Sequence, residues 1–241
     1  MIDFSDLPVW PWRLLRGATE RAWPTSRVVT GGASLSNLTQ VGSTSGGGRW
    51  EAELAGIDLR TPDEIRCARA WAAYLDGGLR LCVVPIFDLG QAPRPRAGGA
   101  LALPGSPAPE TDYFSQEAGF GAPLMEARTV APGVLRATTL RIAVDVGTRL
   151  VGGEHLSINH EGWGWRMYRV GRVSPVADQP TMVDAQITPP LREAVDADTP
   201  VELDVPRCVM RLDPSRASDF EAAIEGNRLA TVTAAFIEAF G

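Results

Sequence analysis

The chain has 241 residues, 44% hydrophobic and 22% charged, which excludes wholesale disorder and allows one large β domain or two smaller ones. It contains no lysine: all 23 basic residues are arginine, so a Walker-type phosphate loop or a lysine Schiff base has no anchor. A net charge of −6, with 29 acidic residues and no dense basic cluster, argues against specific nucleic-acid binding, which depends on neutralising phosphates.

Residues 1–30 place Trp10, Trp12 and Trp23 among Pro8, Pro11 and Pro24. Proline fixes φ and donates no ladder hydrogen bond, so this stretch reads as an extended N-terminal arm whose indoles give it a reason to dock. The sequence leaves open whether it docks on its own subunit or on a neighbour. Deleting residues 1–24 is expected to leave the fold standing and to abolish assembly. The opening MIDFSDLPVWPWRLLRG lacks the basic start and unbroken apolar run of a signal peptide. No stretch approaches the ~18 apolar residues of a membrane helix, so no membrane insertion is expected.

A short strand is predicted at Ser34–Val41, followed by a glycine-rich loop. In RWEAELAGIDL (49–59), Trp50, Ala52 and Leu54 alternate with Arg49, Glu51 and Glu53, the period-two pattern of a half-buried strand. Thr61-Pro62-Asp63-Glu64 then opens a helix over about 61–76. Thr61 caps it, Pro62 suits its first position, and Glu64 completes a capping box. Ile65, Ala68, Trp71, Ala72 and Leu75 form its apolar stripe, and Gly77-Gly78 supplies the left-handed stop. Leu79–Phe87 reads as a buried strand that completes a packed strand–helix–strand unit.

Residues 88–122 form a Gly/Pro/Ala-rich loop too long to be a simple connection, and Tyr113, Phe114 and Phe120 favour a docking arm over a linker. Strands are then predicted at Leu124–Thr129, Thr138–Val144, His155–Ile158, Arg166–Val173, Thr181–Ile187, Val201–Val205, Val209–Leu212 and Leu229–Ile237. An acidic turn or short helix precedes the last, at Ser215–Ile224. Turn signals recur at the spacing of a barrel or sandwich.

Cys67, Cys82 and Cys208 are widely spaced and odd in number, and read as reduced core residues of a protein made in the cytoplasm. His155 and His160, five apart on or beside a strand, fall on opposite faces and lack a third ligand, so they read as surface turn residues and no metal site is predicted. No G-x-S-x-G elbow occurs, and no catalytic or cofactor-binding residue stands out. Asp58, Asp63, Glu64, Asp145, Glu154 and Asp184 read as solvated charge. HEGWGWR (160–166) places Trp163 and Trp165 at a hairpin tip, either as an interface anchor or carbohydrate platform, or as a pair sealing a local core.

The ordered stretches GGGRWEAEL, WAAYLDGG, LRLCVVPIFD, LVGGEHLSI, WRMYRVGRV, DAQITPPLREAVDADTPVEL, PRCVMRLD and FIEAF resemble a family of phage minor tail proteins placed near distal-tail or baseplate components of siphophages and prophages. Coverage runs from about residue 46 to the C-terminus. Residues 1–30 and 88–122 match poorly, and Gly153-Glu154 stands where the family's turn carries Gly-Asp. The resemblance implies a mainly β, tail-tube-like sandwich or barrel with one flanking helix, further C-terminal strands and long extended loops. Taken with the residue patterns, it divides the chain into the arm 1–30, a β core of 31–87 with part of 123–241, the loop 88–122, and a β-rich region 123–241 closing on the core. It also implies a virion structural protein made in the host cytoplasm, with no catalysis and no cofactor. Such a protein would form a hexameric or trimeric homo-oligomeric ring between the tail tube and hub or receptor-binding proteins. Candidate interface residues are Trp10, Trp12, Trp23, Tyr113, Phe114, Phe120, Trp163 and Trp165; the alternative is a carbohydrate-binding tail module.

Overall fold

The structure, a computed structural model, describes residues 4, 6–25, 28–33, 39–43, 48–86, 96–97, 100–101, 125–147, 149–225 and 230–240. The first half of the chain forms β1 (Thr19–Thr25), β2 (Val28–Ala33), β3 (Thr39–Ser43), β4 (Arg49–Leu59), α1 (Pro62–Leu75) and β5 (Leu81–Pro85). Of the strand expected at Ser34–Val41, residues 39–41 belong to β3 and 34–38 lie outside the described residues. Two short strands follow β5, namely β6 (Arg96–Ala97) and β7 (Ala100–Leu101), which pair with each other. Then come β8 (Glu126–Thr129), β9 (Thr139–Val146), β10 (His155–His160), β11 (Gly164–Val176), β12 (Gln179–Thr188) and β13 (Pro200–Val201). The chain finishes with β14 (Arg207–Leu212), α2 (Ala217–Glu225) and β15 (Ala230–Glu238). The protein is mainly β, with two α-helices among the described residues. It divides into two compact units: Met1–Phe87 with Glu161–Trp165 and Arg207–Gly241, and Asp88–His160 with Arg166–Pro206.

The first unit is an antiparallel sheet of order β1-β4-β15-β14-β5. The strands that α1 joins, β4 and β5, are not neighbours, because β15 and β14 lie between them. Along β4 the expected alternation holds: Trp50, Ala52 and Leu54 are buried while Glu51 and Glu53 are half-buried. At Gly56, whose φ is 70°, the parity switches and Ile57 and Leu59 turn inward. The register against β15 skips between Val232 and Ala234 at the same place, as a bulge requires.

The capping box that opens α1 is fully formed. The Thr61 hydroxyl accepts from the Glu64 amide at 3.3 Å, and the Glu64 carboxylate accepts from the amides of Arg60 and Thr61 at 2.7 and 2.8 Å. Those two amides, Thr61 first, hold the Glu64 carboxyl below its usual range. The left-handed stop begins one residue earlier than the glycines, at Asp76 (φ 47°), whose amide still reaches the Ala72 carbonyl.

Trp10 lies at the centre of this unit. It is fully buried, with ring centroids 5.1 Å from Phe236, 5.3 Å from Trp71 and 6.2 Å from Phe220, and its indole N–H donates to the Leu15 carbonyl. The adjoining backbone closes the free edge of β5: the Trp10 amide donates to Val83 and the Val83 amide donates to Pro8. At the opposite edge, β1 pairs with β4 over seven consecutive residues. The expectation of an arm dispensable for folding is therefore corrected. Residues 8–25 supply a core tryptophan, seal one sheet edge and build the strand at the other.

The second unit is a six-stranded sheet of order β10-β11-β12-β9-β8-β13. Ser157 on β10 and Glu202, just after β13, exchange two backbone hydrogen bonds of 2.9 Å, which joins the first strand to the last. The sheet is thereby nearly a barrel. Leu140, Ile142 and Val144, then Leu156 and Ile158, then Val183, Ala185 and Ile187 supply alternate residues to one buried aliphatic cluster, with Tyr168 its aromatic member. The predicted strands from residue 124 onward correspond to β8–β15, with Leu124 and Leu229 outside the described residues; β13 keeps only Val201 of the expected Val201–Val205 and adds Pro200, while β11 runs two residues earlier and three later than the expected Arg166–Val173.

Candidate interaction surface

The hairpin tip Glu161–Trp165 belongs to the first unit. It is shaped by Gly164, whose φ is 65° and where a Cβ would lie 3.0 Å from the Phe4 Cβ and 3.2 Å from a Val209 methyl. Only glycine takes that backbone conformation at no steric cost while leaving room for Phe4. Residues 163 and 165 then part company. Trp165 is half-buried against Leu81, Val83, Val209 and Ala239, together with Phe4 and Leu7, and Arg207 sits 5.2 Å above its ring. Trp163 stays 36% exposed, with ring centroids 6.1 Å from Phe4 and 6.0 Å from Phe240. Phe240 is itself 40% exposed, so Trp163 and Phe240 form a small open aromatic patch with Phe4 half-buried beside them.

The two readings of this tip are thus divided between its tryptophans: Trp165 seals a local core and Trp163 faces outward. The remaining candidates do not join the patch. Trp10 is core and has no surface to offer a neighbour. Trp12 is half-buried beneath the Arg13 guanidinium, 5.4 Å from its ring. Trp23 is 38% exposed on β1. Tyr113, Phe114 and Phe120 lie outside the described residues. Phe4 and Phe240 are far from HEGWGWR in sequence, and only the fold brings them to the 161–165 turn.

The two histidines and the six acids singled out in the sequence have partners away from this patch. His155 and His160 are not surface turn residues; both are buried on β10, at 3% and 4% exposure. His160 Nε2 lies 2.7 Å from the Tyr168 hydroxyl, which also accepts from the Arg192 amide at 3.0 Å. Burial, and then the nearby Arg166 guanidinium, push the His160 ring down to about 4 and keep it neutral. His155 accepts from the Arg169 Nε at 3.3 Å.

Each of the six singled-out acids has a structural partner. Glu154 accepts from the amides of Val151 and Gly152 at 2.7 Å each, and is buried rather than solvated. Asp184 faces Arg141 across β12 and β9 in a two-pronged pair of 2.8 and 3.0 Å, which lowers its carboxyl pKa. Asp145 and Asp198 both hold Arg128. Asp58 accepts from the Thr231 hydroxyl and from Arg60, which together lower its pKa. Asp63 pairs with Arg66, and Glu64 caps α1.

No protein-family model matches the chain, and no curated protein matches it. Among the described residues, no three His, Cys, Asp or Glu side chains group as metal ligands, and no helix is long and apolar enough to cross a membrane. Cys82 and Cys208 are buried and Cys67 half-buried, all as free thiols, and burial pushes the Cys82 thiol well above its usual range.

Proposed function

We propose that this chain is a structural subunit of a bacteriophage tail tip or baseplate, working by contact with its neighbours rather than by catalysis. The observation that carries the reading is the exposed aromatic patch of Trp163 and Phe240 at the 161–165 turn. Trp163 sits on a turn fixed by Gly164 and braced by Phe4, so little freedom is lost when a partner covers it. The singled-out acids and the two histidines are held by structural partners, and the reading rests on aromatic contact at this patch. The motif order favours a position in a ring between the tail tube and hub proteins.

The test is complementation of a phage lacking this chain with the pair Trp163→Ala and Phe240→Ala. Expected are a native circular dichroism spectrum and failure to enter tails. Normal incorporation of the folded double variant contradicts the reading. The exposed indole also favours a second reading, a carbohydrate-binding tail module, since a flat aromatic face stacks on sugar rings. A glycan array separates the two: sugar binding lost on Trp163→Ala while assembly persists favours the module.

A further inference from the structure

We infer that two copies of this chain pair face to face through the ribbon that residues 132–137 and 191–196 form in the second unit. The inference is independent of the phage reading and needs only that unit. Beyond β8 and β13 the two segments go on as a narrow antiparallel ladder. Gly133 and Val195 exchange two backbone hydrogen bonds of 2.8 and 2.9 Å, and the Leu191 amide donates to Ala137 at 2.8 Å. The Arg136 amide donates to Leu191 at 2.9 Å, and the Ala137 amide closes a turn onto Val134, with Arg136 left-handed at φ 66°. Side chains alternate across such a ladder. Gly133, Leu191 and Val195 are buried, while Pro132, Val134, Ala194 and Asp196 are exposed. The turn adds Leu135 and Arg136, both exposed, and Val134 and Leu135 keep 71% and 57% of their surface open. A backbone latched this tightly loses little freedom when its side chains are covered.

The occupant follows from how charge is laid along the ribbon. The Gly133–Val195 register sets Val134 opposite Ala194 and Pro132 opposite Asp196, with Arg136 at the far end. The ribbon is therefore apolar in the middle, cationic at one end and anionic at the other. Among the described residues, neither the Arg136 guanidinium nor the Asp196 carboxylate has an ion-pair partner, whereas nearby Asp198 holds Arg128. A two-fold axis lying in the contact plane and crossing the ribbon beside Val134 reverses its direction. Arg136 of each copy then faces Asp196 of the other, and the exposed aliphatic side chains meet between the two ion pairs. A partner of one charge sign matches one end of this ribbon; a second copy matches both. The contact is isologous, so it closes at two copies. It involves far fewer than the ~20–30 residues a side of a standard interface, which places it among weak contacts.

The experiment is sedimentation velocity of the full chain from about 5 to 500 µM at low salt, a range that brackets a weak contact. Expected are concentration-dependent dimers that loosen as salt is raised. Arg136→Glu sets carboxylates against each other at both ends of its own dimer, and Asp196→Arg does the same with guanidinium groups. Each should weaken dimerisation by about 10-fold or more while its circular dichroism stays native. In an equimolar mixture of the two variants, both ends of the mixed dimer carry opposite charges. The mixture should therefore dimerise as tightly as the wild type. Leu135→Ser removes apolar area without touching charge and should also weaken the dimer. A wild type that stays monomeric across the range overturns the inference. So do dimers indifferent to the charge reversals or to Leu135→Ser, or a mixture no tighter than either variant alone.

Discussion

The two units solve the edge problem of a β-sheet in opposite ways. The six-stranded unit joins its first and last strands through Ser157 and Glu202, and fills the enclosed space with Leu, Ile and Val around one tyrosine. The five-stranded sheet stays open, carries two helices in its strand connections, and depends on Trp10 among Trp71, Phe220 and Phe236. A closed sheet satisfies its backbone with its own strands, whereas an open one must borrow a cover from elsewhere in the chain. Both exposed tryptophans, Trp23 and Trp163, lie in the open unit.

The largest expected effect is on that borrowed cover. Trp10→Ala should destabilise the open unit by about 3–5 kcal/mol, as large-to-small substitutions of buried aromatics do. Deletion of residues 1–24 should unfold that unit, because it also removes β1. Hydrogen exchange read unit by unit checks both, and equal loss of protection in the two units breaks the distinction between them.

Acid should act first on the closed unit through His160. Its ring titrates near 4 when folded and at the ordinary 6.5 when unfolded, so the unfolded chain binds more protons between those values. The stability it contributes is therefore complete above about pH 6.5 and falls by about 1.4 kcal/mol per pH unit down to about pH 4. Urea titrations at stepped pH should show this slope, and His160→Gln should flatten it. Closure itself is tested by Glu202→Pro, which removes the amide donating to Ser157. A loss of about 1–3 kcal/mol confined to this unit is expected. The smallest effect is Thr61→Ala, which removes the α1 cap and should cost the open unit about 1 kcal/mol in thermal unfolding.

What can be read in the sequence is local. Alternation in RWEAEL and TLRIAV, and the Thr61–Glu64 box, locate β4, β9 and α1 because a strand's period and a helix's cap are written within a few residues. The core role of Trp10 is hidden because its prolines announce extension truthfully, yet nothing nearby says which surface the extended chain lies on. Its partners are 61 to 226 positions away (Trp71 and Phe236). The patch is half legible for the same reason. Trp163 stands out in HEGWGWR, while Phe4 and Phe240 acquire meaning only when chain ends and hairpin tip converge. Parity alone assigns the histidines to opposite strand faces, but burial on both faces depends on cover that parity does not report.

The claim that this chain acts as an assembled part is tested most directly by immunogold electron microscopy of virions from the genome that encodes it. Gold should gather at the tail tip, one cluster per particle, and be lost from particles lacking the chain. Particles that carry no label, or a purified chain that turns over an envelope substrate, would contradict it.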